Sequence, residues 1–203
     1  RIGYGDASEF PRLLEIFRSH EIDGLTIHGR TVGERYQTPV HPDCVAAAVD
    51  AMKCPVIANG NVVDVATGLS YLEKTHAAGL MVGRGAIRNP WIFSQLAAAF
   101  EGLPPIQPTR RDLLEYIRDL YDEMAREAIR FEPLGHVQRM KRTLVYISHG
   151  LDADFEQQIR RAKTPEEFSA ICSSHLDNDE PLPARPPVDS KLFCGFEGLV
   201  VAP

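Results

Sequence analysis

The chain has 203 residues, 44% of them hydrophobic and 25% charged, a composition that excludes a wholly disordered polymer and leaves ample chain for a buried core. Its formal charge of −6 means that any nucleic-acid contact must use a local basic patch. No apolar run approaches the ~18–20 residues that a bilayer span requires. Cys44, Cys54, Cys172 and Cys194 stand far apart without C-x-x-C spacing, which points to a reducing, cytoplasmic compartment and away from a disulfide framework or metal site.

Arg1-Ile2-Gly3 reads as the end of a strand. Ser8 is the expected N-cap of a first helix, with Pro11 in its first turn and Leu13, Leu14, Ile16 and Phe17 as its apolar stripe. A strand is expected over Asp23–His28, then a helix opened by Pro42 with Val45, Ala48, Val49 and Met52 on one face. The strand Cys54–Ala58, the turn Asn59-Gly60-Asn61 and a helix from Asp64 to Thr75 follow. A third strand, Ala78–Val82, runs into Gly83-Arg84-Gly85 and a helix over Asn89–Phe100. Strands alternating with helices at roughly 25–30-residue intervals indicate βα units around a parallel sheet. About three and a half such units are present, against the eight of a closed barrel; a doubly wound open sheet is the alternative.

From Pro104 the pattern changes. Leu103–Pro108 reads as a linker, and Leu113, Ile117, Leu120, Tyr121, Met124 and Ala128 form the stripe of one long helix over 109–131. Val137, Met140, Leu144 and Ile147 mark a second helix. Shorter helices are expected at Asp154–Arg161 and Pro165–His175, the latter capped by Thr164 with Glu167 completing a capping box. Residues 177–203, rich in proline and acid and then apolar at Phe193–Phe196, read as an extended tail.

Two turns carry the strongest chemical signal. Asn59-Gly60-Asn61 and Gly83-Arg84-Gly85 each follow an apolar strand and each is expected to open a helix. Glycine there lets a ligand approach the backbone, first-turn amides attract anions, and Arg84 adds a charged donor. The plainer reading of each turn alone is a tight connection; the pair on consecutive strands favours a phosphate. His28-Gly29-Arg30 ends its strand at the edge where barrel sites are built, with His28 suited to a ring nitrogen or carbonyl and Arg30 to a phosphate. The long polar loop Thr31–His41 follows. Pro133–Leu151 has no acidic residue and carries His136, Arg139, Lys141, Arg142 and His149; taken alone, this is a solvated basic face. The motifs of nucleotide phosphate-binding loops, zinc proteases and serine hydrolases are absent.

Taken in register, Leu25–Thr31, Pro55–Gly60, Met81–Ala86 and Asn89–Phe93 resemble the tRNA-dihydrouridine synthases, over residues 1–150 and most strongly over 23–93. The resemblance implies an α/β fold: the C-terminal half of a (β/α)8 TIM barrel over 1–103, then an all-α helical tRNA-binding domain over 104–176 and the tail 177–203. It implies FMN as cofactor and NADPH as reductant, with hydride delivered to C6 of a uridine and a cysteine acid protonating C5. It places His28, Arg30, Asn59, Gly60, Asn61, Gly83 and Arg84 at the cofactor and makes Arg139, Lys141 and Arg142 contacts to tRNA, the base having to be drawn out of its stack. Where this sequence has Asn59-Gly60-Asn61 the family pattern is Asn-Gly-Asp, so Asn61 replaces that acid. No catalytic residue is expected in this chain, because the family's cysteine lies upstream of the position of Arg1; the chain is therefore expected to be a fragment, inactive alone. No membrane, metal or stable protein partner is expected. Competing readings are a non-catalytic RNA-binding fragment and another phosphate- or FMN-binding barrel oxidoreductase.

Overall fold

The structure, a computed structural model, describes residues 1–35, 38–127 and 133–187. It divides into two compact units, Arg1–Leu103 and one that begins at Pro104.

The first unit is built on three parallel strands in the order β1 (Leu25–His28), β2 (Val56–Asn59), β3 (Gly79–Met81). Register pairs His28 with Asn59 and Asn59 with Met81, so the C-terminal ends of all three strands finish level. Because side chains alternate along a strand, these three residues share one face. Ile27, Val56 and Ala58 point the other way and are buried in the core with Phe10 and Leu14 of α1 (Phe10–Arg18), Val45 and Ala48 of α2 (Pro42–Ala51) and Tyr71 of α3 (Val65–Thr75). Arg1–Tyr4 is not a strand beside β1. It runs along the segment beyond that strand, with Ile2 N–H donating to Arg30 O, Val32 N–H to Gly3 O and Gly33 N–H to Tyr4 O.

Local chemistry moved several boundaries. The first N-cap is Asp6, not Ser8: its carboxylate accepts from Ser8 N–H while Glu9 reaches back to it, closing a capping box on a short 3-10 turn ahead of α1. Ile16, placed on the apolar stripe by its spacing, is 49% exposed. The helix expected over Asn89–Phe100 is α5 (Ile92–Phe100), and a short helix, α4 (Arg84–Arg88), precedes it; the two are separated at Asn89-Pro90, where proline disfavours helical backbone in the residue before it.

The second unit contains α6 (Arg110–Glu127), α7 (Pro133–Ile147), α8 (Ala153–Arg161) and α9 (Pro165–Leu176). Its core joins Leu113 and Ile117, the full Val137–Met140–Leu144–Ile147 stripe, Phe155 and Ile159, and Phe168 with Cys172; Tyr121 stacks on Phe168 at 5.6 Å. Thr164 caps α9 by accepting from Glu167 N–H, but the Glu167 carboxylate accepts from Lys163 N–H, one residue before the cap. Residues beyond α9 pin back onto the start of α6. Arg111 pairs with Asp177 and Asp179, Arg110 with Glu180, and Thr109 bridges Pro181. Phe193–Phe196 and Ala128 lie outside the described residues.

Candidate functional site

One pocket at the C-terminal edge of the sheet gathers all seven residues expected at a cofactor: His28 and Arg30 from the end of β1, Asn59, Gly60 and Asn61 from the turn after β2, and Gly83 and Arg84 from the turn after β3. The level strand ends explain the gathering. Each turn leaves the sheet at the same height, and Asn59 Nδ2 donates to Met81 O at 2.7 Å, tying the second turn to the third.

The two glycine turns differ. Asn59-Gly60-Asn61 does not open a helix, because α3 starts only at Val65, capped by Asp64. Gly60 (φ 130°) and Asn61 (φ 61°) instead take left-handed backbone, which glycine and asparagine tolerate best. A Cβ on Gly60 would stand 2.7 Å from Val40 Cγ1 and 3.7 Å from His28 Cε1. Gly83-Arg84-Gly85 does lead straight into α4. Gly85 is there for close approach, since a Cβ would lie 2.4 Å from Val62 O. Gly83 faces open space, with nothing within 4 Å of where its Cβ would be.

Electrostatically the pocket is cationic. Arg30 is fully buried, its Nε donating to Thr38 O at 2.5 Å and its Nη2 to Asn61 Oδ1 at 2.7 Å. Burial, then the charges of Arg84 and Arg1, lower its pKa to about 10. Burial, followed by the charges of Arg1, Arg30 and Arg84, pushes His28 down to about 4, so its imidazole is neutral at neutral pH. Asn61 Nδ2 is buried and finds no hydrogen-bond partner among the described residues. A site with two guanidinium groups, an open glycine and an unsatisfied amide donor is suited to an anion.

Comparison with known proteins decides the family. A dihydrouridine synthase (Dus) family profile matches residues 1–179. The chain belongs to the dihydrouridine synthase family. Similar proteins include a probable tRNA-dihydrouridine synthase of Rickettsia prowazekii, 30% identical over 169 residues that cover 81% of this chain and 51% of that protein. Another, from Rhodobacter capsulatus, is 36% identical over 157 residues, covering 77% of this chain and 48% of the relative. A tRNA-dihydrouridine synthase B of Xanthomonas axonopodis is 29% identical over 175 residues, 82% and 50% of the two chains. The chain spans about half the length of the curated relatives it matches.

Within this dihydrouridine synthase chain the basic residues of α7 are placed unequally. Arg142 is exposed and Arg139 half-buried, while Lys141 Nζ donates to Ala162 O at the end of α8. Among the described residues, no helix is long and apolar enough to cross a membrane and no cluster of His, Cys, Asp or Glu could hold a metal ion. Cys44 packs partly into the core of its unit, and burial raises its pKa; among the described residues no cysteine lines the pocket. Sequence reading missed Thr38, Glu34 and His41, whose contacts with Arg30 and with each other arise from loop closure and leave no periodic signal.

Proposed function

We propose that the protein containing this chain reduces a uridine of tRNA to 5,6-dihydrouridine, with FMN bound in the pocket described above and NADPH as reductant. The single observation that carries the flavin reading is the convergence of the motif residues on one cationic pocket. The residues fit the group. Gly83 leaves an open cradle, Asn61 holds an unsatisfied buried donor, and Arg30 and Arg84 supply positive charge for a phosphate. Gly60, Asn61, Gly83 and Arg84 would hold the phosphate end, with Asn59 fixing the two turns together. The neutral His28 would hydrogen-bond the flavin ring, and Arg30, buried in the pocket wall, would meet the flavin. When bound and reduced by NADPH, FMN would supply the hydride for the C5–C6 double bond.

In this reading 1–103 is the C-terminal part of a (β/α)8 barrel, and the proton-donating cysteine comes from outside this chain. The helical region 104–176 grips tRNA, with Arg142 as its foremost contact, Arg139 beside it, and Lys141 serving mainly to join α7 to the end of α8. The proposed location is the cytoplasm, in keeping with cysteines that show no disulfide or metal spacing.

The test uses the full natural protein with unmodified tRNA, FMN and NADPH. Formation of dihydrouridine supports the reading. Salt-sensitive tRNA binding without flavin binding or product would replace it with a non-catalytic RNA-binding role, and flavin binding with no affinity for tRNA would replace it with a small-molecule oxidoreductase.

A further inference from the structure

The loop after β1 is closed by contacts that the flavin reading does not use. Glu34 is its hub. One carboxylate oxygen accepts from Thr31 N–H at 2.7 Å, and Glu34 N–H donates back to Thr31 Oγ1 at 3.2 Å. The other oxygen lies 2.7 Å from His41 Nε2, and His41 N–H donates to Gly29 O at 2.6 Å. Both ends of the loop are thus tied to one carboxylate. Inside the closed loop Thr38 O receives Arg30 Nε, and beside His41 the side chain of Val40 packs under Gly60.

We propose that Glu34 and His41 are positioning residues, a clasp that fixes the Thr38 carbonyl and through it the guanidinium of Arg30 in the pocket. Neither residue lines the pocket, so neither touches a ligand there. An arginine has many rotamers, and immobilising it on binding costs affinity; holding it in place beforehand removes that cost. An ordinary surface ion pair contributes little. This one differs in geometry: the Glu34 side chain is only 20% exposed and also accepts a backbone amide. Burial alone would raise the Glu34 pKa, but the hydrogen bonds from His41 and Thr31 outweigh it and hold it at about 2, so the carboxylate is ionised throughout the working range.

The inference rests on the flavin reading for its consequence but not for its geometry, and two readouts separate them. In the full natural protein, the Arg30 Nε–H resonance reports the bond to Thr38 without any ligand, and FMN affinity reports the consequence. His41→Leu removes the donor to Glu34 and should speed exchange of the Arg30 Nε proton at least about tenfold and weaken FMN about threefold to tenfold. His41→Gln, which keeps a donor, should restore both, a rescue that mere packing would not give. Unchanged exchange in His41→Leu, or failure of His41→Gln to rescue, overturns the clasp. Should His41→Leu not fold, the unmutated protein decides: a hydrogen-bonded His41 Nε2–H resonance supports the proposal and its absence overturns it. If the unmutated protein binds no FMN, the flavin reading fails while the Arg30 exchange rates still decide the clasp.

Discussion

At His28 burial and its cationic neighbours Arg1, Arg30 and Arg84 act in one direction, lowering the imidazole pKa to about 4. An unfolded histidine takes up its proton near 6.5. Between these values the unfolded chain binds more protons than the folded one, so stability is fully present above about pH 6.5 and falls as pH drops toward 4. The site is partly solvated, and screening reduces the effect to on the order of 1–2 kcal/mol. His28→Gln should flatten this slope in urea unfolding followed from pH 7 to 4.5. Equal slopes in the two proteins would mean that His28 is not held neutral. Glu34 acts in a lower window: its folded value of about 2 makes its contribution disappear only as pH falls from about 4 toward 2.

Elements bring these residues together, and Gly85 shows how tightly. Its backbone lies against Val62, so a methyl group would drive α4 away from the turn after β2. Gly85→Ala should cost about 1–3 kcal/mol and loosen the pocket, read as a lower unfolding midpoint with weaker FMN binding; full stability would show that the contact is loose. The word Gly-Arg-Gly was legible because glycine marks such approaches. The alternation of β1 to β3 with helices was legible from periodicity, as was the Val137–Ile147 stripe of α7. Other features were hidden for physical reasons. The break between α4 and α5 comes from a single proline-preceding residue inside an otherwise helical pattern. Asn61 was placed at a helix start, yet it serves a left-handed turn four residues before Val65. The Glu34–His41 pair and the strap of Asp177, Asp179 and Glu180 onto Arg110 and Arg111 join residues that only the folded chain makes neighbours.

Across the whole molecule the family match runs through both units, and the proposed grip on tRNA, through Arg139 and Arg142, belongs to the helical one. Spacing alone treated Arg139, Lys141 and Arg142 alike; the structure separates them. Arg142→Gln should weaken tRNA binding and reduce its salt slope by about 1, measured between low and moderate salt. Lys141→Gln should leave the slope unchanged and lower thermal stability, because its ammonium satisfies Ala162 O at the end of α8. The opposite pattern would place the RNA elsewhere. The central claim concerns the pocket, and a comparison of FMN with riboflavin in the full natural protein and its Arg84→Ala variant tests it most directly. The account predicts that FMN binds at least about tenfold tighter than riboflavin and that Arg84→Ala removes most of that preference while sparing riboflavin. Equal affinity for the two flavins, or an FMN preference untouched by Arg84→Ala, would contradict it.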